Sequence, residues 1–216
     1  MDDYRTLLNR SLIAVAACVV AVVICFYLVD RPVALLVQNH GVNKIAVLKW
    51  LTYPPPWVQA WSPLALVLLA VRRSWGPWTP CELALFLGCV SLLVADQTRQ
   101  SLGDVCGRYW PETWHDDNPS FIGTDTYGFH PFQWGDDTGS FPSGHAARIA
   151  GFLGVFWLLL PHGRWLYALL ALPMLAALVA MDYHFVGDVV AGSVLGGIVA
   201  AWAVRFGTLG EGNLTG

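Results

Sequence analysis

The run from Ser11 to Val29, SLIAVAACVVAVVICFYLV, contains no charged side chain. It is about as long as a helix must be to cross a bilayer, roughly 20 residues. Lipid offers no partner to backbone N–H and C=O groups, so a crossing run of this kind has to be helical. No small-residue cleavage site follows; the run ends in YLV and continues DRP, and it reads as a retained first span. Further apolar runs lie at roughly Trp57 to Val71, Thr79 to Ala95, Gly144 to Leu160, Trp165 to Met181 and Phe185 to Val204. The expected fold is all-α: a polytopic membrane protein with six transmembrane helices in one domain over residues 1–206. Composition agrees, with 56% hydrophobic and 12% charged residues, against about a quarter charged in soluble domains. Eleven tryptophans suit a protein with two bilayer interfaces. A net charge of −3 leaves no basic surface for nucleic acid.

Between the first two runs lies RPVALLVQNHGVNKIAVLKWLTYPPP. Its apolar residues recur near helical spacing among polar ones, which predicts an interfacial helix or helix pair, closed at Pro54-Pro55-Pro56. Residues 96–141 read as one long polar loop containing Glu112, Asp116, Asp117, Asp125, Asp136 and Asp137. A loop of that length in a compact protein is usually functional. The tail GTLGEGNLTG, residues 207–216, reads as disordered. Six spans put Arg5, Arg10, Arg72, Arg73, Arg164 and Arg205 on one side, which short basic turns mark as cytoplasmic. Its NLT sequon would then be cytoplasmic and unused. Of five cysteines, Cys18, Cys25, Cys81 and Cys89 lie in apolar runs and Cys106 reads as unpaired; no metal-type spacing occurs.

Two polar clusters interrupt the apolar pattern. Span four opens with Pro142-Ser143-Gly144-His145, and Arg148 follows three residues after the histidine. The junction of spans five and six carries His184-Phe185-Val186-Gly187-Asp188. In the six-span topology both clusters and the long loop meet at the non-cytoplasmic face. Pro142 suits a first helical turn, and Ser143 and Gly144 then leave backbone N–H groups free for an anion. Gly144 permits close approach of that anion. His184 and Asp188 are four apart, so a carboxylate there can hold one imidazole nitrogen and leave the other to attack. Taken singly, each histidine also fits a capping or snorkelling role, and Asp188 fits a helix cap. Ionisable groups inside spans are costly, and their combination points to function. His115 and His130, in the aromatic loop, read first as loop hydrogen-bonding residues and second as substrate contacts.

FPSGHA together with HFVGD resembles the type 2 phosphatidic acid phosphatase (PAP2) superfamily of membrane lipid phosphatases. The family pattern is Lys, six residues, Arg-Pro; then Pro-Ser-Gly-His; then Ser-Arg, five residues, His, three residues, Asp. The resemblance covers most of residues 80–204. It implies His184 as nucleophile, Asp188 as the carboxylate that orients it, His145 as the acid for the leaving group, and no metal or other cofactor. Three family cations are missing: Gly103 stands at the lysine, Trp110 at the first arginine, and Ala177-Leu178 at Ser-Arg. Arg99, Arg108 and Arg148 are the expected substitutes on the phosphate, beside Ser143 and Gly144. For Arg148 a second reading is an ion pair with Asp182 or Asp188.

The resemblance implies hydrolysis of a lipid phosphomonoester or pyrophosphate through a phosphohistidine at the non-cytoplasmic face. The small size and minimal loops suggest a bacterial inner membrane, with the site facing the periplasm or exterior. The partners implied are the lipid phosphate and membrane lipids, without nucleic acid; oligomeric state is not legible. Two alternatives stand beside this reading: a non-catalytic binder of lipid phosphate, which the missing cations favour, and a phosphotransferase that passes the group to another lipid.

Overall fold

The structure, a computed structural model, describes residues 4–113, 117–132 and 139–208. His115, Asp116, Asp136 and Asp137 of the expected loop and residues 209–216 of the expected tail lie outside the described residues. The described chain is all-helical, with no strand beyond two isolated backbone bridges. The helices are α1 (Tyr4–Ile24), α2 (Asp30–Asn39), α3 (Ala46–Leu51), α4 (Pro54–Arg73), α5 (Pro80–Cys106), α6 (Phe121–Thr124), α7 (Gly144–Leu159), α8 (Arg164–Ala180) and α9 (Val186–Gly207). A π-helical turn, Cys25–Val29, joins α1 to α2 without a break. Among the described residues four helical stretches are long and apolar enough to cross a membrane: Tyr4–Asn39, Pro80–Cys106, Pro161–Ala180 and Val186–Gly207. Helix α7 is apolar but shorter. Leu12, Ile13, Val19 and Val20 on α1 and Trp57, Trp61, Val67 and Leu68 on α4 are exposed. Water does not tolerate such broad apolar faces, and lipid does.

Three boundaries differ from the sequence expectation. The first span does not stop at Val29; helix continues through Asp30 and Pro32 to Asn39. Only the stretch beyond it, with a 3₁₀ turn at Val42–Lys44 and then α3, forms the separate short segment. Pro54-Pro55-Pro56 begins α4 instead of closing the preceding segment. The first N–H groups of a helix have no intrahelical partner, so prolines there forfeit nothing. Helix α5 runs on to Cys106, well past Ala95. Its last turns carry Asp96, Gln97, Thr98, Arg99 and Gln100, and polarity alone made them look like loop. They are helical because Asp96 is buried and Arg99 half-buried against other spans.

Helix α7 lies at the centre, packed most closely against α9 and α5. Its partner face on α9 is built from small residues. A Cβ on Gly192 would sit 2.3 Å from the Ser143 carbonyl oxygen, and one on Gly196 would sit 2.3 Å from that of Ala147. Helix packing in lipid depends on such backbone approach, since burial of apolar surface gives little there. Gly196→Leu is therefore expected to destabilise the fold by about 3 kcal/mol or more, read as a lowered thermal unfolding midpoint in detergent; an unchanged midpoint would refute the close approach. Apolar clusters flank the contact, with Leu83, Leu87 and Val155 on one side and Ile149, Met174, Leu178 and Val189 on the other.

Candidate active site

The C-terminal end of α5 and the N-terminal ends of α7 and α9 meet at one end of the bundle. Three backbone links bind them. Ser143 donates its N–H to the Asp188 carbonyl at 3.0 Å, Ser140 N–H to the Arg108 carbonyl at 3.1 Å, and His130 N–H to the Gly107 carbonyl at 2.7 Å. Arg108 bridges to Phe129 and Trp110 to Ser120. Stretches distant in sequence are thereby held in one place.

Ser143 caps α7, its hydroxyl accepting the Ala146 N–H at 3.3 Å. Pro142 thus precedes the helix instead of opening it, and the Ser143 N–H is already bonded to Asp188. The first-turn N–H groups available to an anion are those of Gly144 and His145. His145 projects from this turn. Its ring centroid lies 6.2 Å from that of His184, with the planes at 61°. The two imidazoles are therefore close neighbours.

His184 sits just before α9, in a turn, and not on the helix. Its N–H and that of Tyr183 both bond to the Leu178 carbonyl, at 3.2 and 3.0 Å. The side chain is 3% exposed. Its Nδ1 lies 3.8 Å from Asp188 Oδ2, within ion-pair range but beyond a hydrogen bond, and has no hydrogen-bond partner. Catalytic contacts in empty sites are often long and shorten on binding. Burial pushes the His184 imidazole below its ordinary value, against the pull of Asp188. Nδ1 faces Asp188, which leaves Nε2 on the other side of the ring.

Asp188 is fully buried and well held. Oδ2 accepts from Ser140 Oγ at 2.6 Å and from the Phe185 N–H at 3.0 Å. Oδ1 accepts from Arg108 Nη1 at 2.5 Å. Asp188 is thus both the cap of α9 and the neighbour of His184, and the two sequence readings coincide.

The three arginines expected on the phosphate fare differently. Arg108 has no exposed surface. Nη1 goes to Asp188 and Nη2 to Asp30, at 2.6 Å, while Phe185 and Phe129 cover the guanidinium at 4.4 and 4.9 Å. Burial opposes its charge, but Asp188 and Asp30 outweigh that and raise its pKa. It stands behind Asp188, with no face toward the space between the imidazoles. Arg148 is paired too, but with neither Asp182 nor Asp188: its Nε and Nη2 each lie 2.8 Å from Asp96 Oδ1. Gln59 donates to the other Asp96 oxygen at 2.6 Å.

Arg99 is different. A Cβ on Gly144 would lie 2.7 Å from Arg99 Nε and 3.1 Å from Nη2, and one on Gly103 would lie 3.6 Å from Nη1. The guanidinium therefore lies across the N-terminus of α7, in room that two glycines leave. Nη1 makes one long bond to the Gly139 carbonyl, 3.4 Å, and Nε has no partner. Arg99 is one turn before Gly103 on the same face of α5, so its charge reaches the region where the family lysine would project.

Trp110 occupies the position of the missing motif arginine, and its ring lies 5.1 Å from that of His184. The other absent arginine falls at Leu178, fully buried in the apolar cluster. His130 lies 4.6 Å from the Tyr109 ring with the planes at 60°, and its N–H holds the loop to Gly107. Sequence reasoning missed Asp30, Asp96, Ser140 and Trp110 as parts of the site. Asp30 looked like an ordinary charge at a span end, and the others had no local signal. Among the described residues no group of three His, Cys, Asp or Glu side chains gathers as a metal site.

Asp182 lies two residues before His184, buried, with φ +52°. Its carboxyl is pushed up to about 7, first by burial and then by Glu112. An unfolded aspartate titrates near ~3.9, so between those values the native state holds a proton that the unfolded state has lost. That contribution is full at low pH and is lost as pH rises through 7. Asp182→Asn keeps the size and tolerates the left-handed backbone. It is expected to gain on the order of 2–4 kcal/mol over the native protein between pH 5 and 8, measured as diverging unfolding midpoints; parallel curves would refute it.

A comparison with curated proteins found no match, and neither did one with solved structures. A comparison with protein families matched the PAP2 superfamily over residues 83–209, more than half of the chain. That stretch contains His145, His184, Asp188 and Arg99, and the superfamily's activity is in general of the phosphatase type. The chain, a helical membrane protein with two imidazoles and a carboxylate at one end of its bundle, belongs to the PAP2 superfamily.

Proposed function

We propose that the protein is an integral membrane phosphatase that hydrolyses a lipid phosphomonoester or pyrophosphate through a phosphohistidine. The observation that carries this reading is the pair of imidazoles, 6.2 Å apart, at the capped N-terminus of α7. His184 Nε2 attacks phosphorus; an N–P bond forms and the bond to the leaving oxygen breaks. His145 gives that oxygen its proton. Water then attacks the phosphohistidine, His145 takes a proton from it, and phosphate leaves. The N–H groups of Gly144 and His145, with Arg99, hold the non-bridging oxygens where charge develops. Asp188 keeps the imidazole oriented and stabilises its positive charge, the part an aspartate plays beside other nucleophile–histidine systems.

Six crossings, with α4 and α7 completing the four longer helices, fit this site. Helix directions put the ends bearing Arg72, Arg73, Arg164 and Arg205 opposite the histidines. The positive-inside rule then favours a site on the non-cytoplasmic face, and the small size suits a bacterial inner membrane with the site facing the periplasm or exterior. Purified protein in detergent, with chelator present, is expected to release phosphate from at least one lipid in a panel of monophosphates and pyrophosphates. Tight lipid binding without turnover would replace the enzyme by a binding protein. Phosphate appearing on an added lipid alcohol instead of in solution would make it a phosphotransferase.

A further inference from the structure

The charge network behind His184 reaches outside the family match, into the first span. We propose that Asp30 is a positioning residue for the His184–Asp188 pair, acting through Arg108 and through the amide of Gly187. The proposal rests on the reading of His184 as the nucleophile.

Asp30 is 1% exposed, and both its oxygens are committed. Oδ2 takes Arg108 Nη2 at 2.6 Å, and Oδ1 takes the Gly187 N–H at 3.0 Å. Gly187 is the residue before Asp188, in the first turn of α9. One carboxylate thus fixes both the backbone and the counter-ion of Asp188. The preceding segment is built to bring it there. The π turn Cys25–Val29 offsets the helical register just before Asp30, a feature common at functional sites. Tyr127 Oη donates to the Phe26 carbonyl in that turn at 2.7 Å, and accepts from Arg108 Nη2 at 3.3 Å. A Cβ on Gly187 would lie 3.1 Å from Asp30 Oδ2 and 3.3 Å from Cys25 Cβ, so first span and α9 are in contact here.

The charge count explains why a second carboxylate is useful. Arg108 carries one positive charge, and Asp188 alone would be cancelled by it. Asp30 takes a share of the guanidinium, so the buried group of three keeps one net negative charge beside His184. In a low-dielectric site that charge acts strongly. It stabilises the imidazole as it gains a phosphoryl group and becomes positive.

The test is Asp30→Asn, which keeps the shape and removes the charge. The first readout needs no turnover: NMR titration of the protein labelled at histidine, with His184→Gln to assign the signal. The groups around His184 are Asp188 on α9, His145 on α7 and Arg99 on α5, with Arg108 behind Asp188 and uncharged Trp110 beside the ring; all are unchanged in the variant. The His184 signal is expected to titrate at lower pH than in the native protein. The second readout is a fall in kcat of about 10–100-fold, as for other outer partners of a reacting group, with KM within about twofold. A purely structural Asp30 would lower the folded yield and leave the titration and the kcat per folded molecule unmoved, which overturns the proposal. Asp30→Glu serves if the asparagine variant does not fold. It keeps the charge one methylene away, so the titration is expected to stay and kcat to fall several-fold; native kcat there would also overturn it. A native protein inert on every lipid phosphate refutes the phosphatase reading and leaves the titration to decide on Asp30.

Discussion

His184→Ala is expected to abolish phosphate release, with a loss on the order of 10⁴-fold or more in kcat, as when a nucleophile is removed from a cooperating set. The residue is buried to 3% exposure, and its Nδ1 has no hydrogen-bond partner among the described residues. Its removal therefore breaks little that holds the fold, and the unfolding midpoint should move far less than the rate. Two further signs accompany the loss. Acid-labile label from a radioactive lipid phosphate should attach to the native protein and not to the variant. The native kcat/KM should also fall at low pH as His184 becomes protonated, and at high pH as His145 loses the proton it gives the leaving oxygen. The sign of the fall at low pH follows from burial, which holds the His184 pKa down: the neutral, attacking form persists above the ordinary value and is lost as pH falls through the lowered one. Turnover persisting in His184→Ala would remove the phosphohistidine from the account.

Arg99→Ala is expected to lower kcat/KM by about 10²–10³-fold, the cost of one preorganised group at developing charge. Among the described residues Arg99 makes no ion pair with a carboxylate, and it lies across the N-terminus of α7. Arg108 is held by Asp30 and Asp188, and Arg148 by Asp96. The Arg99 and Arg148 variants should therefore differ in kind. Arg148→Ala leaves Asp96 buried without its cation, so its main cost is stability, about 3–5 kcal/mol for a broken buried pair. Arg99→Ala should retain the native unfolding midpoint. Adding Gly103→Lys to Arg99→Ala puts an ammonium at the family's own position, on the same face of α5, into room the lost guanidinium vacates. Part of the lost rate should return. Native kcat/KM in Arg99→Ala would show that the cation lies elsewhere, and no recovery in the double variant would show that the two positions do not reach the same place.

Much of the fold was legible because apolar runs in lipid admit one backbone solution. The fourth, fifth and sixth runs match α7, α8 and α9 to within a few residues, and they are almost purely apolar between their ends. The same reasoning failed at Asp96–Cys106 and Asp30–Asn39. Polar side chains there do not end the helix; they turn toward other spans. A single strand of sequence does not show which face of a helix meets which neighbour.

The site divides in the same way. His145, His184 and Asp188 could be named from spacing, because a short motif fixes them relative to a helix start. The fate of the arginines could not, because each contest for a carboxylate is decided between helices far apart in sequence. Asp96 on α5 takes Arg148 on α7, Asp30 in the first span shares Arg108 with Asp188, and Arg99 is left facing the imidazoles. The sequence by itself determined a membrane-spanning helical chain carrying two histidines and an aspartate in a phosphatase pattern, since hydropathy and local spacing are properties of the chain alone. Only the tertiary structure decided which arginines pair with carboxylates and which residues stand behind His184, since buried charges settle with whatever partner the packing brings within about 3 Å.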